Sequence, residues 1–152
     1  MRECYTLGII LTKSLDEVLL IKKEKPNWQK GKLNFIGGKV EQNESYTSCI
    51  VRECEEETGL MTNNHSWLYI GKLYNENYYE VSIHLLIHDP ALHGNAYSRE
   101  GLGVDWYDCD NLPDNVLSNI KLLVEHARVI VRQGNIDKLV QAVFIYEGSD
   151  ES

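Results

Sequence analysis

The residues best equipped for chemistry in the 152-residue chain are acids and one arginine gathered in a short stretch. It runs Gly38-Lys39-Val40-Glu41-Gln42-Asn43-Glu44 and, seven residues later, Arg52-Glu53-Cys54-Glu55-Glu56-Glu57-Thr58-Gly59-Leu60. Ser45 to Thr58 reads as a helix, since it is rich in Glu, lacks Gly and Pro, and stops at Gly59. At about 100° per residue, Glu53, Glu56 and Glu57 share one arc of about 100° and Glu55 points away. Ile50, Val51, Cys54 and Thr58 form an adjoining strip suited to face a core. Three like charges at this density repel one another unless a cation neutralises them. Hard carboxylate oxygens suit Mg2+ or Mn2+. A solvated Glu-rich helix face would carry the same residues without a metal, and the helix by itself does not separate the two readings.

The full spacing does separate them. It matches G-x5-E-x7-R-E-U-x-E-E-x-G-U, where U is a bulky apolar residue, and all seven fixed positions are filled. Chance would give that match with a frequency on the order of 10⁻⁸ per starting point, at typical residue abundances. The soft departure is Cys54, where a branched aliphatic is usual. This pattern is the Nudix box, and the chain resembles the Nudix hydrolases. The flanking strand order and the Trp106…Leu112-Pro113 element ahead of a helix extend the likeness.

The resemblance implies hydrolysis of a nucleoside diphosphate linked to another moiety, with more than one Mg2+ or Mn2+ ion on this loop and helix. It assigns Glu53, Glu56 and Glu57 as metal ligands, joined by the Gly37 carbonyl. Arg52 would orient a helix carboxylate, and Glu44 would anchor the loop. Related small members use a further Glu from a distal loop, a place that Glu100 occupies here. For the substrate side, Lys32-Leu33-Asn34-Phe35 resembles members that clean up nucleoside triphosphates, oxidised ones included. There Asn34 would read a base edge and Lys23 would contact phosphate, with Phe35 and Lys39 as further substrate-binding residues. Asn119 is a second base-reading candidate. Tyr78 stands where dinucleoside-polyphosphate-cleaving members often carry a Tyr, whereas the Pro of ADP-ribose-cleaving members is replaced by Glu76. The implied substrate is a small nucleotide, either a (deoxy)nucleoside triphosphate or a derivative such as ADP-ribose, FAD or a dinucleoside polyphosphate. The alternative is a Nudix-like module that binds a nucleotide or partner without turnover. Such modules typically lose box carboxylates, and all are present here.

Several elements must position these residues. Cys4–Leu11 and Glu17–Lys22 are β-prone runs around a hairpin-like break at 13–16. Residues 23–32 read as a loop, and Leu33–Ile36 as a short strand ending at Gly37-Gly38. Trp67–Tyr74, Tyr78–His88, Val104–Tyr107 and Val140–Tyr146 read as strands, 89–103 as a long loop, and Val116–Arg132 as an amphipathic helix. The order predicts a mixed α/β chain of the α+β type. The resemblance makes it the Nudix fold, a mixed β-sheet sandwiched between helices, with residues 1–152 as one domain.

Composition narrows the partners. The chain has 15 basic and 23 acidic residues, a net charge of −8, which argues against a broad DNA- or RNA-binding surface. No apolar run is long enough to span a bilayer, and the N-terminal residues lack a signal-peptide profile, so a cytoplasmic protein is expected. Residues 1–37 nonetheless carry +3, with Lys22, Lys23, Lys25, Lys30 and Lys32 close together, and 38–60 carry −4. Cys4, Cys49, Cys54 and Cys109 form no C-x-x-C pair, and Cys49 and Cys54 read as core residues. His65, His84, His88 and His93 read as structural. Oligomeric state is not encoded in these patterns, although many Nudix relatives form homodimers.

Overall fold

The computed structural model describes residues 2–75, 78–97, 103–134 and 142–145. Strands β1 (Glu3–Thr12) and β2 (Glu17–Lys22) are antiparallel neighbours, followed by β3 (Leu33–Asn34), β4 (Ile36–Lys39) and helix α1 (Tyr46–Thr58). Then come β5 (Leu68–Asn75), β6 (Tyr79–His88), a one-turn helix α2 (Pro90–His93), β7 (Val104–Asp108), helix α3 (Ile120–Gln133) and β8 (Ala142–Ile145). The eight strands form one mixed sheet in the order β3-β2-β1-β6-β5-β8, with β4 also on β1 and β7 also on β2.

Neighbouring residues of β1 and β2 point to opposite faces of the sheet, and both faces are covered. Ile9, Leu11, Val18 and Leu20 pack with Leu123, Val124 and Ala127 of α3. Ile10, Leu19 and Ile21 pack with Ile50 and Cys54 of α1 on the other side. That is why these strands read as continuous apolar runs rather than alternating ones. The helix-sheet-helix sandwich follows from burying both faces.

β1 is the organising strand. It pairs in parallel with β6 over ten residues, from Glu3↔Tyr79 to Thr12↔His88. Its other edge is shared, because Leu11 pairs with Val18 of β2 whereas Gly8 to Tyr5 pair with Ile36 to Lys39 of β4. The box glycines therefore lie within a strand instead of following one. α3 begins at Ile120, four residues later than the sequence predicts. Leu33 donates to the Asn115 carbonyl and Leu117 donates to the Leu33 carbonyl, so tertiary pairing holds 115–117 extended. Within the expected 89–103 loop, Asp89 caps α2 by accepting from the Ala91 N–H at 3.0 Å.

Candidate active site

Ser45 starts the site by capping α1, its hydroxyl accepting from the Ser48 N–H at 3.0 Å. Gly59 ends the helix at φ 76°, with its N–H on the Glu55 carbonyl. The 13 residues between carry Cys49, Ile50 and Cys54 into the core, which turns Glu53, Glu56 and Glu57 toward β4. Close packing against β4 depends on its glycines. Gly37 has φ 148°, and a Cβ there would collide with the Thr6 carbonyl. A Cβ on Gly38 would collide with the Glu53 carboxylate. Glu57 is 4% exposed, and its Oε1 accepts the Gly37 N–H at 2.9 Å.

Arg52 gathers the other acids. Its Nε and Nη2 donate to the two oxygens of Glu44 at 2.8 and 2.9 Å, a bidentate pair. Its Nη1 donates to Glu53 Oε1 at 2.9 Å and to Glu56 Oε2 at 3.3 Å. Its Nη2 also reaches the Lys39 carbonyl at 3.3 Å and lies 3.8 Å from Glu41 Oε1. Glu44 in turn accepts the Glu41 N–H at 3.1 Å, which closes the loop before the helix. The Arg52 guanidinium holds the Glu44 carboxyl down at about 2, despite its partial burial. The same hydrogen bonds push Arg52 further up, so the pair stays ionised across the working pH range. Cys49 lies beneath, its thiol 3.3 Å from Thr6 Oγ1 and pushed up to about 11 by burial. A thiol so raised is packing, not a nucleophile.

These donors fit a hard divalent cation. Glu53, Glu56, Glu57 and the Gly37 carbonyl would offer it oxygen donors, and the bare Cα of Gly38 makes room for Glu53. Among the described residues no three acidic, His or Cys side chains converge in ligating geometry. Arg52 instead holds Glu53 and Glu56.

The remaining sequence-derived candidates fall into groups. Lys23 and Asn34 flank the loop between β2 and β3, where the Lys23 N–H bonds the Lys32 carbonyl. The Asn34 Oδ1 accepts the Phe35 N–H at 2.8 Å. Asn119 is the N-terminal cap of α3, without a side-chain capping bond. Lys39 is paired with Glu3 at 3.0 Å, and Tyr78 sits beside that pair, its carbonyl accepting the Glu3 N–H. Phe35, at 1% exposure, belongs to the core under α3. Glu100 lies outside the described residues. The sequence reading missed Glu41 and the Lys39 carbonyl as partners of Arg52, although both stand in the box.

The histidines are mostly internal. His84 is 3% exposed, bonded to Ser82 at 2.7 Å, and pushed down to about 4 by burial. His88 bonds the Gly94 carbonyl, and His93 accepts the Asp89 N–H. All four cysteines are free thiols.

The profile of the NUDIX domain matches residues 4–131. The chain belongs to the NUDIX family. Among NUDIX relatives, a CTP pyrophosphohydrolase of Escherichia coli (strain K12) is 33% identical over 94 residues. That alignment covers 59% of this chain and 65% of the relative, just under two thirds of its length. An 8-oxo-dGTP diphosphatase of Buchnera aphidicola subsp. Schizaphis graminum is 28% identical over 106 residues, covering 70% of this chain and 77% of the relative. A solved structure from a study of MutT of Aliivibrio salmonicida and Vibrio cholerae superimposes with a TM-score of 0.66 at 24% identity. It covers 85% of this chain and 99% of its own. A MutT NUDIX hydrolase of Burkholderia pseudomallei gives 0.67 at 20% identity, with 83% and 98% covered. These likenesses show the mixed sheet with flanking helices as the NUDIX fold. Among the described residues, no helix is long and apolar enough to cross a membrane.

Proposed function

We propose that this NUDIX protein hydrolyses a pyrophosphate linkage in a small nucleotide, supported by Mg2+ or Mn2+ and by more than one ion. The observation that carries the reading is the gathering of Glu44, Glu53 and Glu56 on Arg52, with Glu57 fastened to Gly37. One guanidinium stands among five box acids when Glu41 and Glu57 are included, so the cluster has charge to spare for divalent cations. Glu53, Glu56, Glu57 and the Gly37 carbonyl would hold them. Bound there, such ions would supply positive charge against the developing negative charge and acidify a water.

The chain's own groups do the rest. Arg52 orients Glu53 and Glu56 by donating to one oxygen of each carboxylate. Glu44 fixes Arg52 and the Glu41 backbone, so the loop keeps its shape as charges change. Glu57 is held by a backbone N–H, and this preorganises its second oxygen. A box carboxylate within reach of the attacking water takes its proton. Glu100 joins this scheme from the sequence resemblance as a further ligand or base.

The relatives' names favour nucleoside triphosphates over the other derivatives. A non-catalytic reading has no support from the box, which keeps every carboxylate. A panel of (deoxy)nucleoside triphosphates, 8-oxo-dGTP, ADP-ribose, FAD and dinucleoside polyphosphates with Mg2+ or Mn2+ tests the reading. We expect turnover of at least one class, and release of pyrophosphate or of monophosphate identifies the bond cut. Glu57→Gln should lower that turnover by about a thousandfold or more with thermal stability unchanged or higher. Near-wild-type turnover in the variant would falsify the assignment.

A further inference from the structure

The ten residues between β2 and β3 carry a feature the box does not use. Lys23, Lys25, Lys30 and Lys32 cluster there, with Lys22 at the end of β2 beside them, in a chain of net charge −8. Among the described residues none of the five forms an ion pair. Lys13, Lys39 and Lys72 do, with Asp89, Glu3 and Glu80 respectively. Trp28 stands in the middle, 67% exposed. Most of this ring faces solvent, whereas Trp67 is buried and the Trp106 ring packs at a tilt against His88.

The loop has a defined shape. Lys23 donates to the Lys32 carbonyl, Gly31 to the Lys23 carbonyl, and Gln29 to the Pro26 carbonyl, which form a closed and internally bonded turn. The Asn115 side chain clamps it from outside by donating to the Gly31 carbonyl at 3.1 Å. A shaped loop presents its tip in one place. Next to Trp28 in the chain, the Gln29 Oε1 is buried without a hydrogen-bond donor among the described residues.

Its location matters as well. β2 ends at Lys22 where β1 has turned its edge over to β4, and the loop's exit through β3 runs directly into Gly37 and Gly38. An exposed indole in a loop with four lysines against the single acid Glu24 matches a planar π-system that carries anionic phosphate. We infer that the Lys23–Lys32 loop is a nucleotide-binding element in which Trp28 stacks on the base and Lys25 and Lys30 attract the phosphates. This rests on the nucleotide reading above and adds the residues that recognise the base. Stacking tolerates any base, because every base has a π-face, so the loop supplies affinity while side chains elsewhere select.

The test separates binding from turnover. ADP is titrated into the full-length protein in EDTA by calorimetry, alongside Trp28→Ala, Trp28→Phe and a Lys25→Gln/Lys30→Gln double variant. Trp28→Ala should weaken ADP about tenfold or more, whereas Trp28→Phe should stay within about threefold of wild type. Inorganic pyrophosphate should bind Trp28→Ala as it binds wild type and bind the double-lysine variant more weakly. For any nucleotide that is turned over, Trp28→Ala should raise KM far more than it lowers kcat. Unchanged ADP affinity in Trp28→Ala, or an equal loss for pyrophosphate, overturns the stacking assignment. If no nucleotide is hydrolysed by the wild type but ADP affinity still depends on Trp28, the proposed reaction fails and the loop's role stands.

Discussion

Two arginines of this protein sit among carboxylates on opposite faces of the sheet, and they are built in opposite ways. The Arg128 side chain, on α3, is 6% exposed and reaches out to Asp110 and Glu125 at 2.8 Å each. Those partners are 70% and 55% exposed, and the buried Arg128 Nε has no partner among the described residues. Around Arg52 the order reverses. The cation is 25% exposed, whereas Glu44 and Glu53 are 13% and 15% exposed. The first arrangement carries one positive charge against two negative, and water reaches the acids. The second carries one against four, counting Glu41 and Glu56, with half of the acids withdrawn from water. Protein structure tolerates that excess where a further cation resolves it. The comparison thus distinguishes a pair that ties a loop to a helix from a cluster prepared for a ligand.

The largest effect expected from this contrast is on turnover. Arg52→Met should cut it by about a hundredfold or more, since Glu44 and Glu53 lose the group that orients them. Arg128→Met should leave turnover within about twofold. It should hold stability constant or raise it by up to about 2 kcal/mol, because it removes a buried cation with an unmet donor. Equal losses of activity in the two would erase the distinction.

A second test is calorimetric. Mg2+ at saturating concentration should raise the Tm of wild type by a few degrees through linkage. The increase should vanish in Glu53→Gln/Glu56→Gln and persist in Asp110→Asn/Glu125→Gln. A shift retained in the first variant would move the metal elsewhere.

The two regions also differ from the interior in acid. Glu44, depressed to about 2, contributes stability that is complete above its ordinary value of 4.5 and is lost as pH falls through about 2. His84, depressed from 6.5 to about 4 by burial, contributes stability that is complete above 6.5 and is lost as pH falls through about 4. Urea midpoints should therefore fall in two stages. His84→Leu should flatten the upper stage and Glu44→Gln the lower. The smallest effect belongs to Asp110→Asn, whose urea midpoint should stay close to that of wild type, because that carboxylate is largely in water. A larger loss would mean that the Arg128 cluster carries more of the fold than its exposure indicates.

How much of this was legible in the sequence depends on the distance over which each feature is determined. α1 and its ends were readable, because Ser45 caps and Gly59 stops the helix within one turn. The box acids were readable from spacing alone. Asp89-Pro90, a cap followed by a proline in the first turn, announced α2 and went unread. The start of α3 could not be read locally, since Leu33 decides it from 80 residues away. The place of Gly37 and Gly38 inside a strand is likewise set by Thr6 and Leu7 across the sheet. The burial of Phe35 depends on Leu123, Val124 and Ala127 far along the chain, so the residues beside the glycines do not reveal it.

The pairing of β1 with three different strands has a consequence for how the site fails. Its amides should be among the slowest to exchange with solvent, because opening them breaks contacts made by residues far apart in the chain. The box glycines hang on that same strand. The seat of Glu53 and Glu57 should therefore not fray ahead of the rest, and on heating, catalytic competence should disappear together with the last protected hydrogens of β1.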